Sequence, residues 1–324
     1  MRVMLLNPAT GTLEVDTLPL SERLSRPRPP GVWLWIDLDN ESAEAERELL
    51  TGQLGIHRLA VQDAQRDRHP PKVETFDAST FLLLKGLTAD TTDIDFDTLQ
   101  IALFFCPDFL VTRRVEESVS IDGAWQDVIT DGKATGLRPA DVVYRISRRI
   151  TDRFHNILMA LELRLETLEQ NMYEHPSDDL LSELMETSSR LKKLRRHLTY
   201  QQNLMQRLAQ PGVPGIPPDT RHEFTDLFEN TERLVSLSAL YQELINDLIS
   251  GYISVSSHRL NQVMKVLTIV TVLFLPLGLI VGLYGMNFEY MPELRFRYGY
   301  FIVLGLMATV VTVLLLVFRH KRWL

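Results

Sequence analysis

The chain has 324 residues, 45% of them hydrophobic and 23% charged, and a formal net charge of −8. These values exclude a disordered chain, a collagen-like repeat and a disulfide-stapled secreted module; the single cysteine, Cys106, excludes an internal disulfide or a cysteine-rich metal centre and points to a reducing compartment. The charge is unevenly spread: residues 261–324 hold six Lys/Arg against two acids, a net of +4, which leaves −12 on residues 1–260.

Residues 1–139 read as a mixed α/β domain. MRVMLLNPATGTLEV at the start has no apolar region adequate for a signal peptide, so none is expected. VWLWIDLD (32–39), STFLLLKGL (79–87), LQIALFFC (99–106) and DFLVTRRV (108–115) are short runs rich in Val, Ile, Phe and Trp, bounded by Pro, Gly or Asp, and are predicted strands. SAEAERELLTGQLG (42–55) has helical composition, with Ser42 in the N-cap position and Gly55 past its end. Asp122-Gly123 and Asp131-Gly132 read as turns. The expectation is a small sheet with helices packed on it, Cys106 in its core.

Residues 140–219 change texture. No glycine occurs in 140–208, and leucines recur at helical spacing: Leu158, Leu161, Leu165 and Leu168, then, after His175-Pro176, Leu180, Leu184, Leu191, Leu194 and Leu198. This predicts an acidic helical hairpin, closed by the Gly/Pro cluster AQPGVPGIPPD at 209–219. A further helix is predicted over 220–284. Leu227, Leu234, Leu237, Leu244 and Leu248 give it a coiled-coil-like seam. A helix over 221–284 would be about 96 Å long at roughly 1.5 Å per residue, and such a rod needs neighbours along its length, which argues for an oligomer.

Two stretches lack charge altogether, 266–284 and 298–318. A hydrocarbon core of about 30 Å needs about 20 helical residues, so each is long enough to cross. The first span is placed at about 263–284, the second at 298–318, with a linker at 285–297 and a basic tail at 319–324. The linker is neutral, whereas Arg259, Lys265, Arg319, Lys321 and Arg322 flank the other ends of the spans. Positive charge favours the cytoplasmic side, so both termini are expected in the cytoplasm and the linker outside.

Enzyme signatures are missing: no P-loop, no GxGxxG after a strand, no HExxH and no GxSxG. The eight histidines (57, 69, 155, 175, 197, 222, 258 and 320) are scattered, none paired at metal-ligand spacing. The informative residues lie on the first span, where helical periodicity aligns Asn261, Met264, Thr268, Thr271, Leu275, Gly278 and Gly282 in one stripe. Such a stripe serves equally as a helix-packing face or, around an axis, as a pore lining. The linker shifts the balance. Gly285 permits a left-handed or tight turn after the helix, and Asn287 then offers an uncharged carbonyl at the mouth. Mg²⁺ sheds water reluctantly, so an amide ring would accept the hydrated ion where a carboxylate ring would hold it. Glu289 and Glu293 would concentrate cations nearby.

The run NQVMKVLTIVTVLFLPLGLIVGLYGMNFEYMPEL (261–294), with Gly285-Met286-Asn287, a second span after it and the ending KRWL, resembles the CorA family of divalent-cation channels and transporters. The resemblance implies an α+β cytoplasmic domain with long helices and two C-terminal transmembrane helices, built into a funnel-shaped homopentamer in the inner (plasma) membrane. It implies Mg²⁺ transport, with Co²⁺ and Ni²⁺ as surrogates, Mg²⁺ as regulator and no organic cofactor. Expected partners are other copies, lipid and divalent cations, without nucleic acid. Asn287 would stand in the selectivity loop formed by Gly285, Met286 and Asn287. Asn261 would form a cytoplasmic ring, and Met264, Leu267 and Leu275 a hydrophobic gate. Leu275 and Gly278 depart from relatives that carry methionine and threonine there. Asp226 falls at the family's regulatory carboxylate, with its intersubunit partner sought among Asp90, Asp93, Asp95 and Asp97. Two alternatives stand beside this reading: a zinc-transporting ZntB-like protein of the same fold, whose loop generally has another residue between Gly and Asn, and a two-helix membrane-anchored scaffold that needs no Asn at the turn.

Overall fold

The structure is a computed structural model of the chain, and it describes residues 1–15, 20–25, 27–66, 69–76, 79–132, 134–174, 176–287, 291 and 296–323. In chain order the elements are β1 (Arg2–Asn7), β2 (Thr12–Val15), α1 (Leu20–Ser25), β3 (Trp33–Asp39), α2 (Ala43–Arg47) continued by a π-helical turn (Glu48–Gln53), α3 (Arg58–Ala64), β4 (Lys72–Phe76), β5 (Ser79–Leu87), β6 (Thr98–Cys106), β7 (Phe109–Arg114), α4 (Val119–Asp131), α5 (Pro139–Glu174), α6 (Asp178–Leu208), α7 (Arg221–Tyr284) and α8 (Gly299–His320). They divide into two units, Met1–Ile249 and Ser250–Leu324.

In the first unit a seven-stranded sheet has the order β2-β1-β3-β7-β6-β5-β4. Only β3 and β7 are parallel, with Trp35 opposite Leu110; the other described pairs are antiparallel. Leu34, Ile36 and Leu38 of β3 face Leu49, Leu50, Ala60 and Val61 from the helical stretch after it. Trp33 and Trp35 face the opposite way: Trp33 Nε1 donates to the Leu137 carbonyl at 2.8 Å, and Trp35 packs on Trp125 of α4 at 4.7 Å between ring centres. Helices therefore cover both faces, which is why the central strands read as unbroken apolar runs without alternation.

Three strands escape the sequence reading. β1 begins the chain, and β2 and β4 are short edges with alternating polar residues. One predicted turn is corrected: Asp122-Gly123 lies inside α4, capped by Ser118 and held by buried Ile121, Ala124, Trp125 and Val128. A Cβ on Gly123 would come within 2.6 Å of the Arg149 guanidinium of α5, so the glycine makes room for that side chain instead of forming a turn. Asp131-Gly132 does end a helix, with Gly132 left-handed at φ 58°.

The hairpin leucines named from the sequence on α5 and α6 are all buried. Ser177 caps α6 by accepting from the Leu180 amide at 3.3 Å, while His175 lies outside the described residues. α7 runs 64 residues with Pro276 inside it. The predicted seam does not pack as one line: Leu227, Leu234 and Leu248 are buried and Leu237 is half-buried, but Leu244 is 43% exposed, as is Leu240 beside the seam at 51%. A 7-3-7-4 spacing mixes two faces, and packing within the chain takes only one.

In the second unit α8 ends in a Schellman motif. The Trp323 amide donates to Phe318 O at 2.9 Å and the Arg322 amide to Arg319 O at 3.1 Å. Arg322 itself is left-handed at φ 56°, and Trp323 stacks on Phe318 at 5.9 Å. Lys265 of α7 reaches this turn and donates to the Arg322 carbonyl at 3.1 Å.

Candidate pore helix, loop and carboxylates

α7 and α8 are each long and apolar enough to cross a membrane, and the most apolar stretch of α7 is not buried at all within the chain. An apolar helix bare on every side is stable in water only at great cost. It belongs against lipid and other helices.

Asn261, Met264, Leu267, Thr268, Thr271, Leu275, Gly278 and Gly282 all lie on α7. At roughly 100° per residue they fall within about 120° of arc. Thr268 Oγ1 donates to Met264 O at 2.7 Å and Thr271 Oγ1 to Leu267 O at 2.8 Å. Each hydroxyl proton is thereby committed to the helix, which leaves the oxygen as an acceptor. An acceptor is what the water shell of a cation requires. Beyond the helix's own neighbouring backbone, no heavy atom lies within 4 Å of where a Cβ would stand on Gly278 or Gly282, so both leave open space along the stripe.

The helix stops tightly. The Gly285 amide donates to Val281 O at 2.9 Å and the Met286 amide to Leu283 O at 3.4 Å. A Cβ on Gly285 would meet Val281 O at 3.1 Å, so close approach, without a left-handed backbone, is what calls for glycine here. Asn287 follows at once and is exposed. Glu289 and Glu293 lie outside the described residues.

The carboxylates singled out in the first unit have separate partners. Asp226 is exposed on α7, accepts from Asn230 Nδ2 at 3.1 Å and feels the charge of Arg148 on α5. The acidic loop after β5 is tied down elsewhere. Asp95 pairs with Arg190 at 3.2 Å and Asp97 with Lys193 at 3.5 Å. Lys193 also donates to Phe96 O at 2.6 Å, and Arg153 donates to the carbonyls of Leu87, Thr88 and Thr91 at 2.6, 2.7 and 3.3 Å. Asp93 accepts from the Asp95 amide at 2.7 Å. Asp90 contributes charge near Arg153. Among the described residues no three His, Cys, Asp or Glu side chains of one chain are grouped to hold a metal.

Sequence reasoning missed two buried ionic knots. Asp37, fully buried at the end of β3, accepts from Thr112 Oγ1 at 2.5 Å, Arg2 Nε at 2.9 Å and Arg114 Nη2 at 3.2 Å. Burial pushes its carboxyl up, against the lowering by Thr112, Arg114 and Arg2. Glu46 of α2 receives Arg113 Nε at 2.8 Å and Gln65 Nε2 at 2.9 Å. An acid inside an apolar run, IDLD, was the available signal for Asp37. Both knots fasten helices to the sheet: Glu46 of α2 holds Arg113 of β7, and Asp122 of α4 holds Arg114 beside Asp37.

Comparison with known proteins places these features. The family model described as CorA-like Mg2+ transporter protein matches residues 30–322. The cobalt/magnesium transport protein CorA of Thermotoga maritima is 28% identical over 271 residues, 83% of this chain and 77% of that one. The protein of the same description from Methanocaldococcus jannaschii is 26% identical over 294 residues, 90% of this chain and 91% of that one. The fold agrees as well: the complete CorA magnesium transporter structure from M. jannaschii superposes with a TM-score of 0.81 at 22% identity, covering 100% of this chain and 99% of that one. Matched from its third strand through the end of its second apolar helix, the chain is a member of the CorA-like Mg2+ transporter family, a family of ion transporters and not of enzymes.

Proposed function

We propose that the chain forms a homopentameric channel for hydrated Mg²⁺, able to pass Co²⁺ and Ni²⁺ as well, and closed by Mg²⁺ bound between the first units of neighbouring copies. The observation that carries this reading is the Gly285-Met286-Asn287 turn. It stands at the end of a helix whose last stretch, 266–284, is uncharged and whose polar and small residues from Asn261 onward share one arc, in a chain of this family. With that arc around an axis, Asn261, Thr268, Thr271 and Asn287 supply uncharged oxygens. Met264, Leu267 and Leu275 form the constriction, and Glu289 and Glu293 draw cations to the mouth. Uncharged oxygens suit an ion that moves with its water, since they bind through the shell and release.

No charged residue lies in 266–284 or 298–318 to relay protons. A membrane potential then suffices as driving force, about 4.6 kcal/mol per divalent ion at 100 mV. Exposed Leu240 and Leu244 on α7 offer apolar surface to a neighbouring copy. The −12 charge of residues 1–260 gives bridging cations something to neutralise.

Ion flux into liposomes tests the reading, with Mg²⁺ compared with Zn²⁺ in the presence and absence of a pH gradient. Mg²⁺ entry independent of the gradient is expected; zinc entry coupled to it would favour the ZntB-like alternative. Asn287→Ala should assemble and lose at least about tenfold in flux. Unchanged flux in that variant would take the selectivity role from Asn287, and no flux even in the parent protein would leave the two helices as a mere anchor.

A further inference from the structure

Where α7 ends and α8 begins, the second unit forms a half-open pocket of about 560 Å³ lined by Tyr284, Phe296, Arg297, Tyr300, Ile302 and Val303 among others. This volume lies within the range of small-ligand sites, roughly 300–1,000 Å³. Its position fixes its surroundings, because the ends of two spans lie at the headgroup level of a bilayer, where tyrosines gather. Its lining is graded. Ile302 and Val303 continue into the apolar part of α8, while Arg297 and the two tyrosines stand at the polar end. Arg297 is exposed and forms no ion pair with any described residue. A guanidinium matches the geometry of phosphate oxygens. The first turn of α8 opens on the same cavity without a side-chain cap, which adds amide donors and the positive end of the helix dipole. Snorkelling alone would carry the arginine to the interface but would not build an aromatic-walled cavity around it.

We propose that this cavity binds the headgroup of an anionic phospholipid, with its phosphate on Arg297 and its first acyl carbons along Ile302 and Val303. Tyr284 falls outside the arc of α7 that carries the stripe, and the test of this site does not depend on what the protein transports. Full-length protein, stripped of lipid in neutral detergent, is titrated by native mass spectrometry with phosphatidylglycerol, phosphatidylcholine and soluble glycerol 3-phosphate. One tightly held phosphatidylglycerol per chain is expected, with phosphatidylcholine weaker and glycerol phosphate not retained. Arg297→Gln should weaken that site roughly fivefold, the size of one basic residue against an anionic lipid. Arg297→Lys should keep most of it, and Ile302→Trp, which fills the cavity, should remove it whether or not R297Q assembles. The tail variant Lys321→Gln/Arg322→Gln should leave it intact. Wild-type retention in R297Q and I302W, loss in the tail variant, or glycerol phosphate held as firmly as lipid would each overturn the proposal. Subunit dissociation in R297Q and I302W with lipid binding undiminished would mark the cavity as a subunit contact and overturn it too.

Discussion

His197 on α6 stands edge-on to Phe96 with its Nδ1 buried and without a hydrogen bond. Burial, and then Arg196, Lys193 and Lys85, push its pKa down from 6.5 to about 4. The folded chain keeps this ring neutral where the unfolded chain would protonate it, so its stabilising effect is whole above pH 6.5 and fades as pH falls toward 4. Full-length protein should therefore lose more thermal stability between pH 7 and 5 than the His197→Phe variant does; equal losses would sink the assignment. Gly285 acts through space instead of charge. In Gly285→Ala the Cβ must push against Val281 O, 3.1 Å away. The expected cost is on the order of 1 kcal/mol, paid in the position of Asn287. Mg²⁺ flux should fall severalfold while the assembly survives size-exclusion chromatography. Such residues differ in how visible they are beforehand. The Gly285-Met286-Asn287 run is legible because the resemblance to the family is carried by residue identity, with no long-range contact to infer. Asp122-Gly123 misleads because a turn dipeptide loses to a buried stripe at 3–4 spacing. Arg322 hides a Schellman turn because nothing but its left-handed backbone betrays it.

At the scale of elements, periodicity carries most of the information. The ends of α7, the split between α5 and α6, and the buried leucines of the hairpin follow from spacing and from Pro176, Gly212 and Gly215. Leu198, fully buried on α6, makes this quantitative. Leu198→Ala should cost about 2–5 kcal/mol, measured as a lowered denaturation midpoint of the full-length protein; a shift within error would show that the hairpin's core is elsewhere. Edge strands give no such signal. β2 and β4 are stabilised by ladder hydrogen bonds that sequence composition does not record. The seam on α7 was legible as apolar but not as two faces, because which leucines pack inward is decided by α5 and α6.

For the whole molecule, charge decides what single-chain geometry leaves open. Asp226 bonds Asn230 and feels Arg148, whereas the loop acids pair with Arg190 and Lys193. One chain thus gives these carboxylates different partners, so the proposed shared cation would need two copies to hold it. Asp226→Lys should weaken the Mg²⁺-held closed form: protease protection that rises with Mg²⁺ in the parent should need more of the ion or vanish. Unchanged protection would count against Asp226 as a regulatory ligand. The second unit was the most legible part of the chain, since two uncharged runs and one tripeptide specify it. The ionic knots at Asp37 and Glu46 were the least, since they depend on residues more than 60 positions apart meeting across a sheet.

Pro276 brings these scales together. Proline has no amide hydrogen, so the helix offers Val272's carbonyl no donor from residue 276. In water the omission would be trivial. Inside hydrocarbon every orphaned oxygen must find company, and symmetry would repeat the same omission at one height in each copy. In the proposed pentamer a defect in one rod would become a girdle of lone pairs, supplied by backbone that no side-chain substitution at that level erases.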